Sequence, residues 1–261
     1  MAAESTDEVV VEDRGPVRVL RINRPEARNA LNQAVLAGIG GGVEAADRDP
    51  AVRAIVITGT GDRAFCAGMD LRDFSEGRRG SGDSDATTAY LRFLRGGCAK
   101  PVVGAANATA VGGGLELLLG CDLVVASDQA EFGLPEVKRG LFAGGGGILL
   151  GRVIPMAIAL EIGLTGDRID AARALAFGLI NRVVPAESVL DEAVALANRI
   201  AQNGPLGVQA TKRLMYAALD VDPDDLWELQ RELSTSVFGS DDAKEGALAF
   251  IEKREPKWTG H

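Results

Sequence analysis

The segment from Asn107 to Gly140, NATAVGGGLELLLGCDLVVASDQAEFGLPEVKRG, constrains the chain more than any other. Three consecutive glycines, Gly112 to Gly114, open an apolar helical stretch that holds a single acid, Glu116. Glycine inside a helix costs about 1 kcal/mol against alanine, so such a cluster marks backbone approached closely by something else. A packed strand and a bound ligand both fit. At a helix start the N–H groups point outward and the dipole favours negative charge, which suits a donor near Gly113 to an oxyanion. Glu116 lies one turn on, toward the same end of the cavity. Twenty residues later Glu136 follows Pro135, with Lys138 and Arg139 the nearest bases. Either acid alone is more often paired or solvated than catalytic. Together, among apolar neighbours, they point to acid/base chemistry beside a developing negative charge, because burial raises a carboxyl pKa and proximity drives two values apart.

The rest of the composition narrows the chemistry. The chain has 261 residues, 46% hydrophobic and 25% charged, enough for a real core in one large domain or one domain with an appendage. A net charge of −9 argues against a nucleic-acid or anionic-membrane surface. The only histidine is His261, so a histidine-based triad, a histidine-ligated metal and a histidine general base are all disfavoured, and no metal site is expected. Cys66, Cys98 and Cys121 lack metal-ligand spacing, and their odd number suits a reducing compartment. The acidic start, MAAESTDEVVVED, does not read as a signal peptide, and no apolar run reaches membrane length. The expected location is the cytoplasm.

Two β-rich runs, Val9–Glu12 and Val17–Ile22, flank the hairpin signal Gly15-Pro16. The polar loop NRPEARNALN (23–32) leads into a helix weakened by Gly38, Gly40, Gly41 and Gly42. Buried strands are expected at Ala54–Thr58, Pro101–Ala106 and Asp122–Ala126. A Gly/Ser-rich loop is expected over 75–85 and a helix over Thr87–Arg95. The run AGGGGILLGR (143–152) reads as the start of another apolar helix, and from Pro155 onward helical patterns dominate. Strand–helix alternation followed by helices describes an α/β core with a helical C-terminal appendage. Gly59-Thr60-Gly61-Asp62-Arg63-Ala64 formally matches a dinucleotide-binding fingerprint, but Phe65-Cys66-Ala67-Gly68 follows instead of a helix, so the reading is set aside.

The segments NRPEARNALN, AFCAGMDLRDF, GGGLELLLGCDLVVAS, FGLPEVKRGL and EGALAFIEKREPKW are similar, in order and spacing, to those of the crotonase (enoyl-CoA hydratase/isomerase) superfamily over nearly the whole length. That resemblance implies an α/β fold, a spiral of ββα units over 1–200, with a helical trimerisation region over 201–261, assembled as a homotrimer or a dimer of trimers. It implies an acyl-CoA thioester substrate and no cofactor, CoA being part of the substrate. It places an oxyanion hole at the N–H groups of Ala67 and Gly113, and a catalytic pair at Glu116, activating water for C3, and Glu136, protonating C2. It assigns substrate binding to Ala27, Arg28, Ala30, Ala67, Gly68, Met69, Asp70, Leu71, Gly113, Pro135 and Leu141, and turns Phe250, Lys253 and Arg254 toward a CoA. The acyl cavity would draw on Leu71, Phe74, the 75–90 loop, Leu141 and Phe142.

The resemblance thus implies a hydratase adding water reversibly to a 2-trans-enoyl-CoA. Its alternatives are an isomerase, a carnitinyl-CoA dehydratase-like enzyme or a non-catalytic acyl-CoA-binding paralogue. Leu141 to Gly144 departs from the Thr/Ile-Pro-rich stretch of the family's fatty-acid hydratases, which leaves the acyl group open.

Overall fold

The computed structural model describes residues 7–76 and 85–261, without the side chains of Phe74, Asp85 and Ala86. Most of the expected Gly/Ser-rich loop, and Phe74's place in the acyl cavity, therefore lie outside the described residues.

Strands β1 (Val9–Arg14) and β2 (Val17–Ile22) form an antiparallel hairpin turned by Gly15 at φ 63°. Helix α1 (Gln33–Arg48) starts where the Asn32 side chain accepts the Val35 N–H at 2.9 Å, an N-cap that satisfies one of the helix's free donors. Its glycines do not break it. They thin one face so that other elements can close in: a Cβ on Gly40 would fall 2.5 Å from the Tyr90 backbone nitrogen. Strand β3 (Ala54–Gly59) follows, then α2 (Leu71–Ser75), α3 (Asp85–Leu94), β4 (Val102–Ala106), β5 (Ala110–Val111), α4 (Gly113–Leu119), β6 (Leu123–Ser127) and β7 (Glu131–Gly133). Next come α5 (Leu150–Val153), α6 (Met156–Thr165), β8 (Arg168–Asp170), α7 (Ala171–Ala176), β9 (Arg182–Val184) and α8 (Val189–Ala201). Helices α9 (Pro205–Ala217), α10 (Pro223–Phe238) and α11 (Asp241–Glu252) complete the chain.

Six strands form one sheet in the order β1-β2-β3-β4-β6-β9, parallel after the first hairpin. Strands β3 and β4 are buried throughout, as continuous apolar runs with both faces covered should be. A second sheet, β5-β7-β8, is joined by an isolated bridge from Ala110 to Cys66, and a further bridge pairs Leu31 with Met69. One apolar core lies under α1, α3 and α4, and a smaller one joins β2, β3 and β4 to α8. The architecture is mixed α/β with a helical C-terminal region. Strands β5, β7, β8 and β9 are absent from the sequence-based expectation, and 143–152 folds mostly as a glycine loop and a 3-10 turn over Gly147–Leu149 before α5, not as one helix. Among the described residues no helix is long and apolar enough to cross a membrane.

Candidate active site

A cleft of about 610 Å³ opens between the loop 67–71, the start of α4, the first turn of α1 and one face of α3. It is built from the ends of short elements, whose backbone groups are not all committed to ladders. Gly112 leaves β5 with φ 58° and ψ −130°, a conformation open to glycine and costly for residues with a Cβ. Its own N–H donates to the Gly133 carbonyl at 2.9 Å, which fixes the start of α4 to the second sheet. Gly114 packs against the Cys66 backbone so closely that a Cβ would clash with the Cys66 carbonyl oxygen. Close approach is therefore the structural reason for this glycine run. It brings the loop 66–69 against the helix start: a Cβ on Gly68 would fall 3.1 Å from the Gly113 nitrogen, and one on Gly113 3.6 Å from the Met69 nitrogen.

This packing corrects one sequence expectation. The Ala67 N–H donates to the Arg28 carbonyl at 3.1 Å, so it is already engaged and is not a free oxyanion donor. Arg28 and Asn29 both adopt positive φ (52° and 55°), which swings that carbonyl toward Ala67. The Met69 and Gly113 N–H groups, by contrast, donate to no group among the described residues. Both residues line the cleft.

Glu116 is 7% exposed, and its Oε1 accepts the Gly145 N–H at 2.8 Å and the Gly147 N–H at 2.9 Å. Burial pushes its carboxyl pKa up, and these backbone donors pull it part of the way back by favouring the charged form. Glu136 sits on the 3-10 turn Pro135–Arg139, its Oε1 3.0 Å from the position a Cβ on Gly112 would take. Its Oε2 is buried with no hydrogen-bond partner. Burial pushes the Glu136 carboxyl up, its own backbone N–H pulls it part of the way back, Glu116 pushes it further and Arg139 opposes the rise. The two acids thus face one cleft in unequal surroundings, Glu116 held by the amides of another loop and Glu136 keeping one buried oxygen without a partner.

Of the other expected residues, Arg28, Gly68, Asp70, Leu71, Pro135 and Leu141 line the cleft with Ala67, Met69 and Gly113. Ala27 and Ala30 do not. Ala30 is buried, and its carbonyl accepts Arg24 Nη1 at 2.7 Å, so it supports the loop. Asp70 is ion-paired to Arg24 at 3.1 Å, which fixes the 67–71 segment and lowers the Asp70 pKa against the rise that burial causes. Phe250, Lys253 and Arg254 are not among the residues of this cleft, and Arg254 pairs with Glu245 and Glu252. Sequence reasoning missed Gly145 and Gly147, whose amides hold Glu116, and Tyr90, which lines the cleft from α3. The uninterrupted glycines of 144–147 were the available signal for the first.

A pair of unengaged N–H groups beside two unequal carboxyls defines a site for proton transfer next to a carbonyl that accumulates negative charge. The chain belongs to the enoyl-CoA hydratase/isomerase family, whose model matches residues 12–261. It is 38% identical to the enoyl-CoA hydratase EchA19 of Mycobacterium tuberculosis, over 98% of this chain and 97% of that one. It is 37% identical to a carnitinyl-CoA dehydratase of Salmonella arizonae, over 95% of this chain and 96% of that one. Among solved structures, an enoyl-CoA hydratase from Mycobacterium tuberculosis H37Rv matches with a TM-score of 0.90 at 43% identity, covering 98% of this chain and 100% of that chain.

Proposed function

We propose that this chain is an enoyl-CoA hydratase that adds water reversibly across the 2,3 double bond of a 2-trans-enoyl-CoA. The observation that carries the reading is the inequality of the acids: Glu116 takes two backbone N–H bonds, while Glu136 keeps a buried oxygen without any. Glu116 is the ionised base that orients water and takes its proton as oxygen bonds to C3. Charge then passes through the thioester to its carbonyl oxygen, which the Met69 and Gly113 N–H groups receive. Glu136, whose buried Oε2 has no partner, is the acid that protonates C2. Losing one such oxyanion donor typically costs on the order of 10²–10³ in rate. The chemistry uses two carboxyls and two amides and calls for no cofactor.

The test is loss of the conjugated-thioester absorbance when the protein meets crotonyl-CoA. Glu116→Gln and Glu136→Gln should each cut turnover by about 10²–10⁴-fold, the usual worth of a positioned acid or base, with acyl-CoA binding retained. Near-normal turnover in either variant would sink the two-acid mechanism.

A second reading is dehydration of a carnitinyl-like thioester, favoured by a 45% identical solved structure described as a carnitinyl-CoA hydratase from Mycobacterium avium, with a TM-score of 0.76 over 98% of this chain and 100% of that chain. Turnover of a carnitine-bearing thioester but not of crotonyl-CoA would select it.

The exposed apolar side chains of α10 and α11 support assembly as a homotrimer or a dimer of trimers, with 201–261 as the assembling region. The free, buried Cys66, Cys98 and Cys121 fit a cytoplasmic enzyme.

A further inference from the structure

Tyr90 stands on the wall of the cleft that α1 and α3 build, beside Leu36, Thr87 and Leu91. Thr87, Tyr90 and Leu91 follow helical spacing and share one face of α3. The residue is 5% exposed and its ring belongs to the apolar core. Its backbone is clamped by the close approach of α1 at Gly40. Among the described residues, nothing hydrogen-bonds its hydroxyl. Phenylalanine would fill the same space without that hydroxyl, and the oxygen is not one of the buried atoms left without a partner, so it opens into the cleft, where an occupant can reach it. Glu116 lies within electrostatic reach, but its Oε1 is already committed to Gly145 and Gly147. Burial first, with the neighbouring Cys66 and Glu116, holds the phenol far above its ordinary pKa, so the group stays a neutral donor. A fixed neutral donor set between Leu36 and Leu91 calls for an oxygen on whatever fills the cleft.

We propose that Tyr90 is a specificity-determining residue whose hydroxyl binds an oxygen-bearing group of the acyl chain beyond C3, so that the site prefers oxygenated acyl thioesters to plain alkyl ones. The inference rests on the acyl-CoA reading above and names the substrate class within it. A phenol that instead held the attacking water would matter equally for every substrate, and that difference is measurable.

The experiment compares hex-2-enoyl-CoA with its 4-, 5- and 6-hydroxy derivatives in the wild type and in Tyr90→Phe. At least one hydroxylated thioester should be preferred about tenfold in kcat/KM, and Tyr90→Phe should erase that preference while leaving the plain substrate within about twofold, the scale of one lost hydrogen bond. An equal loss on all four substrates, or no preference in the wild type, overturns the proposal.

Binding separates this test from the hydratase reading. If no thioester is hydrated, yet hydroxyhexanoyl-CoA binds about tenfold tighter than hexanoyl-CoA in a Tyr90-dependent way, the hydratase reading fails and Tyr90's role stands. If that binding preference is absent as well, both fail. Should Tyr90→Phe not fold, the wild type still answers, because the chain has two tyrosines. With tyrosine labelled at Cζ and Tyr216→Phe used for assignment, the Tyr90 signal should move with hydroxyhexanoyl-CoA and stay with hexanoyl-CoA. The same shift with both ligands would overturn the proposal.

Discussion

Glu136 is distinguished from Glu116 by which groups reach its oxygens. A folded-state pKa raised by burial means that the folded chain holds its proton at a pH where the unfolded chain has lost it. Stability contributed by the protonated form is therefore present below the ordinary glutamate value and lost as pH rises through the folded one. Glu136→Gln removes the ionisation, so it should raise the melting temperature at neutral pH. It should do so by less at pH 4, and thermal scans at the two values check the sign. Activity follows the same logic: the acidic limb of the kcat/KM profile should lie above the ordinary carboxylate range, because the raised Glu116 pKa sets it. Both acids were legible in the sequence because their spacing and apolar surroundings are local facts. Which amide of 66–69 stays free beside Gly113 was not. Ala67 and Met69 sit two residues apart in AFCAGMDLRDF, and what separates them is the Arg28 carbonyl, delivered from a distant turn by two positive-φ residues.

At the scale of elements, the loop 144–147 acts as a main-chain clamp on Glu116. A Cβ on Gly145 would stand 2.6 Å from Glu116 Oε2. Gly145→Ala should therefore displace the carboxylate and lower kcat by roughly 10²-fold, the cost of about an ångström of misplacement, with KM within about threefold. Steady-state kinetics would show it, and a variant with normal kcat would mean that Glu116 does not need this clamp. The run AGGGG looked like a helix opening because the apolar residues after it do form one, at α5. Its partner, Glu116, is about 30 residues earlier in the chain, beyond the reach of any local pattern. Strands β1 to β4 and β6 were readable as runs of five or six apolar-rich residues. Strands β5, β7, β8 and β9 hold two or three residues each, too few for a period to appear. The glycines of α1 were misleading in the opposite direction, since the tight packing they permit outweighs their poor propensity.

At the scale of the molecule, α10 and α11 leave Trp227, Phe238, Phe250 and Ile251 at 65–85% exposure, more apolar surface than isolated side chains explain. Light scattering should give a mass of three or six chains, and Phe238→Glu with Ile251→Glu should lower it toward one; a monomeric wild type would refute the assembly. The mouth of the cleft between the loop 67–71 and the start of α4 is held by backbone. Gly112 is fastened to β7 by its N–H and Asp70 to Leu31 by its own, at 2.9 and 3.0 Å, while the amides beside them, Gly113 and Met69, stay unengaged. In deuterated water the molecule should therefore carry two rapidly exchanging amides, each next to a slow one. A thioester seated in the cleft should silence that pair with little change elsewhere, so that the two donors report occupancy of the site by their hydrogens alone.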